Sequence, residues 1–271
     1  MITPRTAQFA PYRAVLASRV RSQRSYRTNF ALDLASSALI GFIELAEIWV
    51  LFHNVGSLGG YSFKQILLVY GIADLAFSIA DLFFGHCDDL PNYLRAGTLD
   101  VFYLRPQPIL AQLIGSDISL KRITRAGVAI GCIVVAISIG DIQWTAAKVA
   151  LFALSIVCAV LIFSAQFVSA AGLQFFLING AEATNAYVYG GRYASTQVAS
   201  VWSNPLKVIF GFFFPMAFAA FIPSLWLLDK PGPAMFPSWL AWCTPIMALW
   251  AWGAAMLCWR WGLRHYQGGG G

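Results

Sequence analysis

The segment DDLPNYLRAGTLDVFYLRPQP, residues 88–108, is the longest polar stretch between the first apolar runs of the chain. The paired aspartates at its start can cap a short helix whose first turn holds Pro91. Gly97 suits the left-handed residue that ends such a helix, and Arg105-Pro106 stops a second turn. The pattern predicts a short helix and turn between two apolar segments. It is either an element that a partner could push or an ordinary connecting loop.

The composition around this segment is that of a membrane protein. Hydrophobic residues make up 59% of the chain and charged residues 11%, against about a quarter charged in an average soluble domain. Several runs exceed the ~18 apolar residues that indicate a transmembrane helix. These runs are continuous, whereas an outer-membrane barrel needs short segments of alternating polarity. The sequence therefore predicts an all-α membrane protein.

The apolar runs predict six membrane spans within one transmembrane domain, residues 1–271. The predicted spans are residues 30–53, 63–85, 124–139, 145–178, 205–228 and 241–263. Beyond Pro205 at the start of the fifth span, three prolines lie in the last two of these spans and are expected to kink or break their helices. They are Pro215, Pro223 and Pro245.

The distribution of positive charge predicts the orientation of the chain. Residues 1–29 hold six arginines and no acid, which favours a basic amphipathic helix on an anionic membrane surface over a disordered tail. Arginine and lysine recur in the segments assigned to the inner side, residues 86–123, 179–203 and 264–271. Lys230 is the one basic residue in the outer segments, which are residues 54–62, 140–144 and 229–240. By the positive-inside rule both termini are expected in the cytoplasm.

Besides Asp33 at the inner edge of the first span, four acids lie within the first two predicted spans: Glu44, Glu47, Asp74 and Asp81. Ionisable groups are costly in hydrocarbon, so these side chains are expected to face the interior or a wet cavity. One interpretation is a path that attracts cations. Another is internal pairing, which would require protonation or hydrogen bonds, since no basic residue appears deep in these spans. A third is that the acids face a partner permease.

Motifs for chemistry are missing from the chain. Its five cysteines form no CxxC pair and its three histidines are dispersed, so neither a disulfide framework nor a metal site is expected. The sequence contains no GxxxxGK[ST] phosphate loop, GxSxG or HExxH motif. We therefore expect no catalytic residue and no cofactor bound by this chain.

Three segments carry a resemblance to a known family. They are LRAGTLDVFYLRPQP (residues 94–108), NPLKVIFGFFFPMAFAAFIPSLWLL (residues 204–228) and WGLRHYQGGG (residues 261–270). With the basic N-terminal helix, they resemble the permease subunits of ABC-2 type exporters, and more closely the bacterial viologen- or multidrug-type branch. The family pattern begins I-R-x-G-x-L-D, and here Leu94 replaces the isoleucine.

The resemblance implies an architecture and a set of partners. Six helices would form half of a dimeric membrane unit, with an N-terminal elbow at residues 1–29 and a broken, partly re-entrant region between spans five and six. A coupling helix within residues 88–108 would contact one of two separate ATPase subunits, which would bind ATP and Mg²⁺. The residues expected to serve coupling are Asp88, Asp89, Arg95, Gly97, Asp100, Arg105 and Pro106.

The predicted function is that of a non-catalytic permease subunit in an ATP-driven exporter of the bacterial cytoplasmic membrane. It would move an unidentified hydrophobic, cationic or lipid-like substrate outward. Its other partners would be a second copy or a paralogous permease and membrane lipid, but no nucleic acid. The alternative is a standalone secondary transporter or channel, for which matched broken helices in inverted repeats would be evidence. Only one broken region is visible, near residues 215–245.

Overall fold

The computed structural model describes residues 27–117, 122–177 and 180–267, and these ranges contain eleven α-helices and no strand. The predicted elbow at residues 1–29 lies outside the described residues, apart from the three that begin the first helix. The helices are α1 Arg27–Val55, α2 Phe63–Phe84, α3 Leu90–Arg95, α4 Asp100–Tyr103, α5 Ile109–Ser116, α6 Arg122–Ile139, α7 Ala146–Gln174, α8 Ala181–Thr196, α9 Asn204–Val208, α10 Phe221–Leu227 and α11 Thr244–His265.

The helices form a bundle whose two ends differ in the length of their connections. We call one end the short-loop end; it holds residues 56–62, 140–145 and 228–243. The long-loop end holds residues 85–117 and the residues that follow α7 and α11. Ion pairs join neighbouring connections at the short-loop end, between Lys64 and Asp141 and between Lys148 and Asp229.

Five described helices, α1, α2, α6, α7 and α11, are long and apolar enough to cross a membrane. They occupy the residues predicted for the first four spans and the sixth. The all-α fold with a broken region before the last span is confirmed. The residues after Pro108 form the separate helix α5 ahead of the third span.

Helix α2 lies at the centre of the bundle. In its most apolar stretch of 18 residues, 78% of the residues are buried, against 6% in the corresponding stretch of α1. Phe77 on α2 packs against Phe163 and Phe167 of α7, with ring centroids 5.3 and 5.7 Å apart. Gly71 allows α6 to approach closely, because an added Cβ would lie 3.2 Å from the carbonyl oxygen of Ala129. Close backbone approach at small residues is how helices associate in lipid, where apolar side chains gain little by leaving the solvent.

Helix α8 also connects the two ends of the bundle, although its residues were predicted to lie in an inner polar segment. Near its start, Thr184 accepts a hydrogen bond from Gln174 at the long-loop end. Beyond its last turn, Ser200 Oγ donates to the carbonyl of Gly59 at the short-loop end, at 3.4 Å. The described residues of this segment, 180–203, therefore do not form a connection at one end of the bundle, contrary to the prediction. Part of the polarity of α8 comes from side chains buried between helices, among them Thr184, Arg192 and Ser195.

The broken helix pair, residues 204–227, follows α8. Its first part is Asn204–Phe213, its second is Met216–Leu227, and their axes differ by 72°. Ser200 precedes the pair and contacts Gly59, while Lys230 follows it and donates to the carbonyl of Gly60 at 2.5 Å. Because both ends of the pair reach the same turn, the prediction that residues 205–228 cross as a single span is wrong. The pair instead enters and leaves at the short-loop end.

The prolines expected to interrupt helices have different roles. Pro215 lies at the break of the pair, where the backbone of Phe214 is extended. Pro223 is the third residue of α10, and Pro245 is the second residue of α11. In a first turn the missing N–H has no helical partner to lose. The prediction that Pro223 and Pro245 break helices is therefore wrong.

Candidate functional site: a buried charge cluster and the inter-span element

Four charged side chains from four helices meet between the two ends of the bundle. Glu44 of α1, Asp74 of α2, Arg125 of α6 and Arg192 of α8 form what we call the buried charge cluster. Asp74 is fully enclosed, and Arg192 is 8% exposed. The position of Asp74 near the middle of α2 places the cluster well inside the bundle.

Arg192 bridges the two carboxylates of the cluster. Its Nη2 lies 2.5 Å from Asp74 Oδ1 and 2.6 Å from Glu44 Oε2, and its Nε donates to Asp74 Oδ1 at 2.9 Å. Arg125 Nη2 donates to Glu44 Oε1 at 2.7 Å, and its Nε lies 3.3 Å from Asp74 Oδ1. The hydroxyl of Tyr70 donates to Glu44 at 2.8 Å. The planar guanidinium group of arginine is suited to bridging two carboxylates in this way.

The cluster is electrically balanced, with two carboxylates and two guanidinium groups. Burying charge is costly, so an intact buried set can be close to neutral in its effect on stability. Removing one member leaves an uncompensated charge, which typically costs about 3–5 kcal/mol. The cluster therefore fixes how α1, α2, α6 and α8 are placed relative to one another.

Local sequence explains why Arg192 can reach so deep. Gly190 and Gly191 precede it on α8, and an added Cβ at Gly191 would collide with the side-chain amide of Gln166 on α7. That amide donates to the carbonyl of Tyr187 at 2.8 Å, which joins the two helices. Glycine at 191 thus permits the close approach that brings the arginine to Asp74.

Asp81 is paired as well, nearer the long-loop end. Arg122 Nε lies 2.8 Å from Asp81 Oδ2, and Arg122 Nη1 donates to the Asp81 carbonyl at 2.6 Å. Three of the four acids predicted to line a path therefore have arginine partners. The expectation that internal pairing would require protonation or hydrogen bonds is wrong, because Arg122, Arg125 and Arg192 reach these acids from neighbouring helices. Internal pairing is thus the alternative that the geometry favours for these three.

Glu47 differs from the other three acids. It lies one turn from Glu44, yet it is exposed on α1. A cation path or a contact with a partner permease stays a prediction for this residue. Among the described residues, no group of three or more histidine, cysteine, aspartate or glutamate side chains could hold a metal ion.

The inter-span element, residues 85–108, forms the predicted short helix and turn. Pro91 lies in the first turn of α3, and Gly97 has a φ of +65° where the chain turns before α4. Within the element, Asn92 donates to Asp89 Oδ1 at 3.0 Å, and Arg95 donates to Asn92 Oδ1 at 2.8 Å. Arg95 and Asp89 thus brace the element itself.

Two contacts fix the inter-span element to other helices. Asp100 accepts a hydrogen bond from the hydroxyl of Tyr266 at 2.9 Å, and the Tyr266 ring stacks on Tyr103 with centroids 5.9 Å apart. Burial and this hydrogen bond raise the pKa of Tyr266 to about 12, so the phenol remains a donor at neutral pH. The hydroxyl of Tyr189 on α8 donates to Asp88 at 3.4 Å. The element is therefore joined to α8 and to the end of α11.

The outward surface of the inter-span element combines apolar and basic groups. Leu104 is 85% exposed and Val101 is 46% exposed, beyond the ends of the spanning helices. Arg95, Arg105 and Pro106 are also exposed there. Leu104 is a candidate contact residue that the sequence pattern did not single out, since an isolated leucine carries no distinctive signal.

Comparison with known families bears on the whole bundle. A family model described as ABC-2 family transporter protein matches residues 38–270. The chain belongs to this family. The match extends from α1 to the last described residues, so it includes the buried charge cluster, the inter-span element and the broken helix pair. Comparison with curated proteins and with solved structures gave no match.

Membership of the ABC-2 family identifies the chain as a multi-pass membrane component of an ABC transporter. Such permeases associate with ABC ATPase subunits and are generally not catalytic themselves. In this ABC-2 protein, Arg125 and Arg192 were missed as interior residues by sequence reasoning. The signal that could have found them is the cost of the buried acids, which requires counter-ions on neighbouring helices.

Proposed function

We propose that this ABC-2 permease moves an uncharged or weakly polar substrate outward across the bacterial cytoplasmic membrane, driven by two separate ATPase subunits. A second permease chain, identical or paralogous, completes the membrane unit. ATP and Mg²⁺ bind to the ATPase subunits. The long-loop end faces the cytoplasm together with both termini. The pairing of Glu44, Asp74 and Asp81 with arginines favours such a substrate over a cation, since these acids are already neutralised.

The observation that carries the coupling part of the proposal is the surface of the inter-span element. Leu104 and Val101 present apolar area outside the bundle, next to exposed arginines. An exposed apolar patch with a charged rim is typical of a protein interaction site. Behind this surface, contacts to Tyr189 and Tyr266 lead into α8 and α11. A push on the patch would thus move these helices with the element.

The test co-expresses the permease with an ABC ATPase subunit, recognised by its phosphate-loop motif. Leu104→Asp places a charge at the centre of the patch, and we expect at least tenfold less ATPase to co-purify with the permease. Val201→Asp is the matched control, because Val201 is 51% exposed but lies near the short-loop end. Its complex should purify as wild type does.

A second measurement separates docking from transmission. Asp100→Ala removes the acceptor of Tyr266 without changing the exposed patch. We expect the complex to assemble. For each substrate molecule transported, it should hydrolyse several times more ATP than the wild-type complex does. If Leu104→Asp and Asp100→Ala both keep wild-type docking and the wild-type ratio of transport to hydrolysis, the inter-span element does not transmit the ATPase movement.

A further inference from the structure

A cavity of about 400 Å³ lies beside the turn of the broken helix pair. Its walls come from α7, α8, α11 and the residues around Pro215. It is separate from the buried charge cluster, none of whose four members lines it. A volume of this size lies within the range of small-molecule sites.

The chemistry of the cavity wall is apolar with a few uncharged polar groups. The lining residues include no acid, lysine, arginine or histidine, and most are aliphatic or aromatic. The polar side chains are those of Gln166, Ser169 and Tyr187, together with the thiol of Cys258. A charged ligand would therefore lose its hydration without gaining a counter-ion.

One polar atom at this wall has no partner. Gln166 is 2% exposed, and its Nε2 donates to the carbonyl of Tyr187. Its Oε1 is enclosed and accepts no hydrogen bond within the described residues. The hydroxyls of Ser169 and Tyr187 are already paired with each other at 3.1 Å. A buried carbonyl oxygen without a donor is costly, and a ligand hydroxyl or N–H would satisfy it once the Gln166 amide turns toward the cavity.

The rim of the cavity faces the side of the bundle rather than either end. Phe213 is 65% exposed and Trp250 is 52% exposed, and both line the cavity. Trp250 lies in the spanning helix α11, where an exposed aromatic side chain meets lipid. A ligand can therefore enter from the bilayer without crossing a polar loop.

From these observations we propose that the cavity binds a neutral amphiphile dissolved in the membrane, with its apolar tail against α11 and a hydroxyl or N–H donor on Gln166 Oε1. The ligand is a bilayer component or the transported substrate, which share this chemistry. Binding is a property of the permease alone, so it can be tested without ATP or the ATPase. Its failure would thus leave the proposed transport function untouched.

The experiment uses the full permease in lipid nanodiscs and three photoactivatable probes with the same diazirine-bearing chain. One ends in a hydroxyl, one in a methyl ether, and one in a quaternary ammonium group. After irradiation, peptide mass spectrometry locates the label. We expect the alcohol to label residues that line the cavity about fivefold more than the ether, the ratio that one net hydrogen bond provides. The ammonium probe should label them least.

Two variants test the assignment further. Ala254→Trp fills the cavity and should abolish its labelling, whereas Leu257→Trp on the same helix, 70% exposed and outside the lining, should not. Gln166→Leu should make alcohol and ether label equally while apolar labelling persists. Uniform labelling along α11, equal labelling of wild type by all three probes, or cavity labelling that survives Ala254→Trp would overturn the proposal. The wild-type comparison decides even if a variant fails to fold.

ATP then distinguishes the two sources of ligand. In nanodiscs that contain the assembled complex, a transported alcohol probe should leave the cavity during hydrolysis, and labelling should fall severalfold. A resident bilayer component should label equally with and without ATP. Either result keeps the cavity as a binding site and assigns its occupant.

Discussion

Replacing Arg192 with methionine tests whether the buried charge cluster holds the bundle together. Arg192 donates four hydrogen bonds to Asp74 and Glu44, and among the described residues Arg125 is the other one that pairs with both carboxylates. In Arg192→Met, two buried carboxylates would face one guanidinium. Asp74 would retain only the 3.3 Å approach of Arg125 Nε.

The expected loss of stability follows from this stranded charge. Breaking a buried pair by removing one partner typically costs about 3–5 kcal/mol. For a chain of this size, about 2–4 °C of melting temperature corresponds to each kcal/mol, so the midpoint should fall by roughly 10 °C. The ten tryptophans supply a fluorescence signal for unfolding in mixed micelles.

A double variant separates the charge effect from lost packing. Arg192→Met combined with Asp74→Asn leaves Glu44 and Arg125 as a balanced pair, so we expect the double variant to recover at least ~2 kcal/mol relative to the sum of the singles. Arg95→Met is the matched control, since Arg95 is exposed and its contacts are local. It should stay within about 0.5 kcal/mol of wild type.

Two outcomes would refute the reasoning. One is an Arg192→Met protein whose unfolding free energy lies within ~1 kcal/mol of wild type. The other is a double variant whose loss equals the sum of the two single losses. Either result would mean that the four charges do not act as a set.

Two further predictions concern topology and the contact at the end of α11. Single cysteines at Ser57, Asp141, Ser200 and Gly232 should react with impermeant thiol reagents added outside. Cysteines at Asn92 and Asn185 should not react. Protection of Ser200→Cys from the outside reagent would contradict the placement of α8 as a crossing helix. Tyr266→Phe removes the hydrogen bond to Asp100 but keeps the ring stack on Tyr103. It should lower the ratio of transport to ATP hydrolysis at least threefold, while the free energy of unfolding changes by only about 0.5–1.5 kcal/mol. An unchanged ratio would count against a role for α11 in coupling.

Long apolar runs made most of the fold predictable. The runs at residues 63–85 and 145–178 exceed the ~18 apolar residues that indicate a transmembrane helix. Helices α2 and α7 lie within these runs. The inter-span element was predictable because local chemistry determines it. Pro91 and Gly97 have backbone preferences that do not depend on the rest of the molecule.

The crossing of α8 could not be read from hydropathy. Residues 181–196 contain Glu182, Asn185, two glycines and Arg192, and such a segment resembles an aqueous loop. Its burial depends on tertiary partners, since Arg192 is stabilised by Asp74 and Glu44 from distant parts of the chain. For the same reason, hydropathy alone assigns the fifth span to the apolar segment 205–228, although that segment turns back at Pro215 and both its ends lie at the short-loop end.

The order of the charges along the chain has a consequence for membrane insertion. Glu44 and Asp74 emerge from the ribosome first, and their partners Arg125 and Arg192 follow. At sixteen residues α8 is about 24 Å long, shorter than a hydrocarbon core of ~30 Å. An arginine within such a helix opposes its partitioning by up to ~3 kcal/mol. Entry of α8 into the bilayer therefore depends on the acids of α1 and α2 being already in place. Neutralising those acids should therefore prevent α8 from entering the bilayer during biogenesis, which is a step that precedes transport.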